Sequence, residues 1–204
     1  MDIQDWNERY RSCERAAEVL SVEPTPLLVN TVERFASTLR LPNAGGAPLR
    51  ALDLACGTGR NALWLAEHGW NVTAIDGAPD AIAILLHRAA ERSLTPDMLV
   101  ALIADLEKGQ YVIAPESWDL IAICYYLQRN LFEPAKRGLV PGGILIAIVH
   151  ITEPGEEPTA HRLRPGELET YFQGWEILHR YEGQPNDAAH RRSVAEVVAR
   201  RPGL

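Results

Sequence analysis

Cysteine is scarce in this chain: Cys13, Cys56 and Cys124 are odd in number and far apart. That leaves no basis for a disulfide framework and makes a reducing cytoplasm the expectation. Positive charge is in deficit, with a formal net charge of −7, which argues against nucleic acid as a partner. No apolar run is long enough to span a membrane, and the acidic Met1-Asp2 start does not read as a signal peptide. Internal repeats and low-complexity tracts are missing. The histidines are scattered without ligand spacing and Cys13 has no partner nearby, so no metal site is expected. What remains is 204 residues, 47% hydrophobic, enough for one α/β domain with an ample core. A monomer or homodimer with a small-molecule partner is the expectation.

The chain is organised around residues 49–76, LRALDLACGTGRNALWLAEHGWNVTAID. An apolar run is followed by a glycine turn, a helical pattern (Ala62, Leu63, Leu65, Ala66) and a second apolar run ending at Asp76. Strand, tight turn, helix, strand is a βαβ unit. Gly57 and Gly59 let the backbone turn sharply and approach a ligand, and the helix start that follows presents N–H groups to it. Asp76, nineteen residues past Gly57, is placed to accept hydrogen bonds from both hydroxyls of a ribose. The spacing Gly-x-Gly-x-x-Ala is also one variant of the dinucleotide fingerprint, so NAD and FAD enter the comparison. Asp53 argues against them. A carboxylate inside the first strand is costly, and a pyrophosphate gains nothing from it, whereas a cofactor carrying a sulfonium and an α-amino group does.

Before this unit, residues 2–20 and 26–39 carry helical spacing, with Thr25 as a cap, Pro26 at the first helical position, and a loop at 42–46. Residues 1–46 thus read as a helical cap and linker, and 47–204 as a Rossmann-like core. Trp6, Arg9 and Tyr10 are the cap residues placed to reach a ligand; the spacing of Trp6 and Tyr10 equally suits a buried helix face. After Asp76 come a helix over 81–92, strands at 98–104 and 118–124, a helix over 128–136, and a Pro-Gly-Gly turn at 141–143. A strand at 144–149, a loop with Pro154 and Pro158 suited to a lid, a short helix over 165–172, and strands at 175–181 and 192–199 complete the pattern. The last two strands are joined by a hairpin-length turn and should be antiparallel. Ligands of parallel α/β sheets bind at the carboxyl ends of the strands, which puts Cys124, Tyr125, Tyr126 and His150 at the site, with Arg129 near the start of the next helix. If the sixth strand runs parallel to the others, His190 and Arg191 reach the same edge. A charged hairpin rim would read the same way.

Residues 52–59, Leu-Asp-Leu-Ala-Cys-Gly-Thr-Gly, resemble the first motif of class I S-adenosylmethionine-dependent methyltransferases. Extended through Arg60-Asn61-Ala62, the stretch is similar to the tellurite-resistance and thiopurine-methyltransferase-like branch. The likeness continues at Trp6-Asn7-Glu8-Arg9-Tyr10, at Tyr126-Leu127-Gln128-Arg129, at 139–143, and at His190-Arg191-Arg192. It implies a seven-stranded, mostly parallel Rossmann-like sheet with an antiparallel last strand, helices on both faces and an N-terminal helical cap. It also implies S-adenosylmethionine as cofactor, with S-adenosylhomocysteine as product. Ala55, Cys56, Thr58, Arg60, Asn61, Gly77, Ala78, Cys124 and Tyr125 then join the cofactor contacts, Ala104-Asp105-Leu106 lies beside the adenine, and His190 and Arg191 serve the methyl acceptor. A carboxylate capping a turn is the other role open to Asp105. Asn7 and His150 stand where that branch usually has acids, which touches acceptor identity rather than cofactor binding.

Methyl transfer is an in-line displacement in which alignment does most of the work. A base is needed only for a hydroxyl or protonated amine acceptor; thiolates or chalcogen oxyanions would call for cations such as Arg129, Arg191 and His190. Two further readings stand beside the enzyme: a module that binds or senses the cofactor without turnover, and a nicotinamide oxidoreductase.

Overall fold

The computed structural model describes residues 3–12, 21–39, 47–157 and 159–203. The expected helical turns at 13–20, which include Cys13, and the loop at 42–46 lie outside these residues. Seven strands form one sheet: β1 (Arg50–Leu54), β2 (Asn71–Asp76), β3 (Leu99–Ile103), β4 (Trp118–Cys124), β5 (Leu139–His150), β6 (Glu176–Gly183) and β7 (Val194–Arg200). Among the described residues six helices accompany them: α1 (Ile3–Ser12), α2 (Pro26–Leu39), α3 (Arg60–Glu67), α4 (Pro79–Glu91), α5 (Phe132–Gly138) and α6 (Glu167–Thr170). No helix among the described residues is long and apolar enough to cross a membrane.

The strand order is β3-β2-β1-β4-β5-β7-β6. β1 to β5 pair in parallel, and β7 lies antiparallel between β5 and β6. Because β7 opposes both neighbours, β6 runs in the same direction as the first five strands. The expected mixed sheet is therefore present.

Both faces of the sheet are covered, which is why its central strands read as continuous apolar runs rather than alternating ones. Leu52, Leu54, Ile121, Ile123, Leu145 and Ala147 pack on one face with Phe132 of α5 and Leu168 of α6. Ala51, Leu120, Ala122, Ile144 and Ile146 face the other way, against Leu28 of α2, Leu63 and Leu65 of α3, and Leu85 of α4. Each fully buried Leu or Ile contributes about 1.5–3 kcal/mol relative to exposure.

Several expected boundaries, those of β3, α4, α6, β6 and β7 among them, shift by one or two residues, and two elements differ further. β5 begins at Leu139, five residues before the expected start, because the Pro-Gly-Gly segment stays in the sheet. Leu139 pairs with Trp118, Gly142 N–H donates to the Arg201 carbonyl at 3.1 Å, and Arg201 N–H donates to Gly143 at 2.8 Å. The helix expected from residue 128 starts as a 3-10 turn, Arg129–Leu131, and becomes α-helical only at Phe132.

α1 contributes no buried residue. It is held from outside the core: Asn7 Oδ1 accepts the Asp80 N–H at 2.9 Å and Arg11 pairs with the Asp80 carboxylate at 2.5 Å. A side chain of one helix thus caps the first turn of another, α4.

Candidate active site

The strand order reverses direction between β1 and β4, and open α/β sheets bind ligands where this happens. A cavity of about 850 Å³ opens there. It runs from the tip of β2, across β1 and β4, to β5 and the loop between β6 and β7.

At the β1 end the backbone makes an abrupt turn. Ala55 holds φ +55°, Gly57 +54° and Gly59 +81°, all in the left-handed region that costs non-glycine residues strain. Gly59 does not line the cavity. A Cβ there would run into Leu85 of α4, so this glycine permits close packing of the turn on α4. Arg88, also of α4, donates to the Thr58 hydroxyl at 2.8 Å and steadies the turn from below.

Asp53 is 1% exposed yet lines the cavity, and its Oδ2 has no hydrogen-bond partner among the described residues. Burial pushes its carboxyl up to about 7, against the pull of the Ala62 N–H and Arg60. A buried acceptor without a partner, on a residue that lines a cavity, is a place for a cation or donor. Asp76, at the tip of β2, accepts the Gly57 N–H through Oδ2 and the Ala78 N–H through Oδ1, both at 2.8 Å. The Gly77 N–H acts on the same carboxylate, which with about four acceptor positions keeps capacity for a ribose hydroxyl.

α1 covers this end. Ile3, Trp6, Arg9 and Tyr10 line the cavity, and Arg9 lies over the Trp6 ring at 5.1 Å. A Cβ at Gly57 would sit 3.0 Å from the Tyr10 hydroxyl, and one at Gly77 would meet Ile3. Burial, then the nearby Asp76, pushes the Tyr10 phenol upward, so it stays a neutral donor.

Asp105 and Leu106 line the cavity; Ala104, buried behind them, does not. The Asp105 carboxylate is turned onto its own loop, where Oδ1 accepts the Lys108 N–H at 3.1 Å and Oδ2 pairs with Lys108 Nζ at 3.0 Å. Capping is therefore one role of this acid. Gln128 braces the same wall, donating to the Leu106 carbonyl at 3.1 Å and accepting from the Tyr126 hydroxyl at 2.8 Å.

Toward the other end stand Cys124, Tyr125, Tyr126, His150, His190 and Arg191, all on the cavity wall. The expected hairpin does bring His190 and Arg191 to the strand tips. Burial pushes the Cys56 and Cys124 thiols up, so neither is a thiolate at neutral pH. Burial also lowers His190 to about 4, against the pull of Asp187, which makes it a neutral ring rather than the cation expected. Tyr125 stacks on it with centroids 3.4 Å apart and planes at 8°.

Arg129 is the clearest departure from expectation. It does not line the cavity. Its Nε donates to Glu167 at 2.7 Å, and its other nitrogens donate to the carbonyls of Ala160 and Arg162 at 3.0 and 3.1 Å. It ties down the loop after β5. That loop is further held by Glu156, which pairs with Arg162 and Arg192 at 2.7 Å, and by Glu153, which accepts from the Ser193 N–H at 3.0 Å. Thr159, His161 and Arg162 of the loop line the cavity, as does Arg192. Sequence reasoning missed these, together with Ile3 and Glu107. The loop's proline content marked it as a lid but gave no means of choosing its inward residues.

A family model described as tellurite resistance protein TehB matches residues 45–192. Hemagglutinin 1 of Eikenella corrodens is 32% identical over 146 residues, covering 67% of this chain and 46% of that protein. The probable S-adenosyl-L-methionine-dependent methyltransferase TehB of Haemophilus influenzae is 26% identical over 142 residues, covering 65% and 48%. The chain spans about half the length of these curated relatives. Among solved structures, TehB from Haemophilus influenzae superimposes with a TM-score of 0.62 at 21% identity, over 84% of this chain and 65% of that one. Phosphoethanolamine N-methyltransferase 2 of Haemonchus contortus, in complex with S-adenosyl-L-methionine, gives 0.62 at 15% identity, over 83% and 52%. The fold is common to all three.

Proposed function

Because this chain belongs to the TehB tellurite-resistance family, we propose that it is an S-adenosylmethionine-dependent methyltransferase acting on a small-molecule acceptor. The observation that carries this reading is Asp53: a buried carboxylate with one unpartnered oxygen, on a residue of the cavity wall beside a glycine turn and a helix start. The rest of the wall fits the same cofactor. Asp76 offers lone pairs to a ribose, Gly57 and Gly77 keep the floor free of side chains, and Trp6 and Tyr10 roof it. Ala55, Cys56, Thr58, Arg60, Asn61, Ala78, Asp105 and Leu106 complete the contact surface.

When bound, S-adenosylmethionine supplies an electrophilic methyl group on a sulfonium, with a neutral thioether as leaving group. The chain's own contribution is placement. Asp53 favours positive charge at the β1 tip, and α1 excludes water from the adenosine side. Tyr126 and His190 wall the acceptor side as neutral groups with His150 beside them, and the exposed Arg191 adds a positive charge there. A soft anionic acceptor, a thiolate or a tellurium or selenium oxyanion, suits that combination, and the family's description as tellurite resistance agrees with it.

Calorimetric titration with S-adenosylmethionine, S-adenosylhomocysteine and NAD in parallel tests the reading. Micromolar binding of the first two alone supports it, and binding of NAD alone refutes it. Methyl transfer to thiols and to tellurite or selenite then separates an enzyme from a module that only binds the cofactor. Replacing His190 and Arg191 together by Ala should leave cofactor affinity in place and lower turnover.

A further inference from the structure

One buried carboxylate has no part in the reading above. Asp187, 6% exposed, lies in the loop between β6 and β7. Its Oδ2 accepts from Arg60 Nη2 at 2.7 Å and from the Tyr125 hydroxyl at 3.0 Å. Its Oδ1 accepts the Ala189 N–H and its backbone carbonyl accepts the His190 N–H, each at 3.0 Å. Three separate pieces of the fold meet on this side chain: the first residue of α3, the tip of β4, and the loop that carries His190 and Arg191.

The tip of β4 needs such a restraint. Tyr125 sits at φ +61°, a strained conformation for an aromatic residue that persists only where surroundings enforce it. From there its ring lies flat on His190, with the Arg60 guanidinium 5.5 Å from the centroid on the Tyr125 ring and Nη2 3.5 Å from His190 Nε2. The Arg60–Asp187 pair is almost wholly out of solvent, with side-chain exposures of 11% and 7%. Buried pairs are poor stabilisers compared with apolar residues of the same size, and their best-attested use is fixing one arrangement over others.

We propose that Asp187 is a positioning residue for methyl transfer, docking the Tyr125–His190 ring stack and its loop onto the first residue of α3. The inference rests on the methyltransferase reading. Arg60 follows the glycine turn that floors the cofactor half of the cavity, and His190 belongs to the acceptor half. Asp187 sets the spacing between the two halves without belonging to either contact surface.

The test is a pair of variants, Asp187→Asn and Tyr125→Phe, in the full chain. Asp187→Asn keeps size and removes the charge that Arg60 meets; Tyr125→Phe keeps the ring and removes only the hydroxyl. In the unaltered protein the His190 ring C–H resonances should stand upfield, shielded by the stacked Tyr125. Asp187→Asn should move them toward free imidazole values, Tyr125→Phe should move them less, and the S-adenosylhomocysteine Kd should change by less than threefold in Asp187→Asn. With tellurite or 2-mercaptoethanol, whichever the unaltered protein methylates, kcat should fall tenfold or more at a nearly constant KM for S-adenosylmethionine. If Asp187→Asn does not fold, Tyr125→Phe alone decides, by the same resonances and the same kcat. Unmoved resonances and kcat overturn the proposal, as does a Kd that weakens tenfold, since Asp187 would then serve the cofactor itself. Failure of the unaltered protein to bind S-adenosylhomocysteine is a different result and removes the methyltransferase reading.

Discussion

Asp53 couples ligand binding to a proton. Its carboxyl is raised to about 7 by burial, so the free protein holds a proton there at lower pH. A cationic ligand needs the ionised form. Affinity for S-adenosylhomocysteine, through its α-ammonium group, should therefore rise with pH up to about 7 and level off above, falling about tenfold per unit below it. Stability runs the other way: the folded state binds this proton more tightly than the unfolded one, so the ligand-free protein loses stability as pH rises from about 4 to 7. Asp53→Asn should abolish the pH dependence of binding, weaken affinity, and raise Tm at pH 8. Titration calorimetry across pH and thermal melts check both halves. Asp76→Ala should weaken cofactor affinity by roughly 1–3 kcal/mol through lost charge-assisted hydrogen bonds; an unchanged Kd would refute the ribose assignment. The place of these acids on the cavity wall was legible in sequence because each stands a few residues from a turn or a strand end. Arg129 and Asp187 were not. Their roles depend on Glu167 and Arg60, 38 and 127 residues away, and no local pattern encodes such a partner.

Single elements separate two kinds of glycine. Gly59 has φ +81° and its missing Cβ is filled by Leu85, so Gly59→Ala should cost about 1–3 kcal/mol of global stability from backbone strain and add crowding at α4. A Cβ at Gly77 would crowd the Ile3 side chain of α1 and touch the Ala104 carbonyl only at ordinary contact distance, and α1 is a helix with nothing buried in the core. Gly77→Ala should leave Tm close to that of the unaltered protein and speed S-adenosylhomocysteine release, because α1 has to shift; stopped-flow dissociation and thermal melts distinguish the two. β4 and α2 were readable to the residue from apolar run length and from the Pro26 start. The N-terminal stretch of β5 was not, because Pro-Gly-Gly is a turn signal locally, and only pairing with Trp118 and Arg201 keeps it in the sheet.

For the whole molecule, mixed topology was legible from the short β6–β7 connection, but the insertion of β7 between β5 and β6 was not, since either strand could have joined β5. Ile121, fully buried at the centre of the sheet, tests how far one core serves both halves of the site. Ile121→Ala should lower unfolding free energy by about 2–5 kcal/mol in a single cooperative transition by urea denaturation. The position of β7 also fixes an order of events. β1 pairs with β4 across 69 residues of chain, Ala51 with Leu120, and β5 pairs with β7 across 56, Ile144 with Arg200. β6 has no neighbour until β7, made after it, slides in against β5, pairing Ile144 with Arg200. Both pairings are non-local and form slowly, and the loop bearing His190 is seated only when the second one does. A chain whose last two strands have not docked on β5 lacks the wall that His190 and Arg191 give to the cavity.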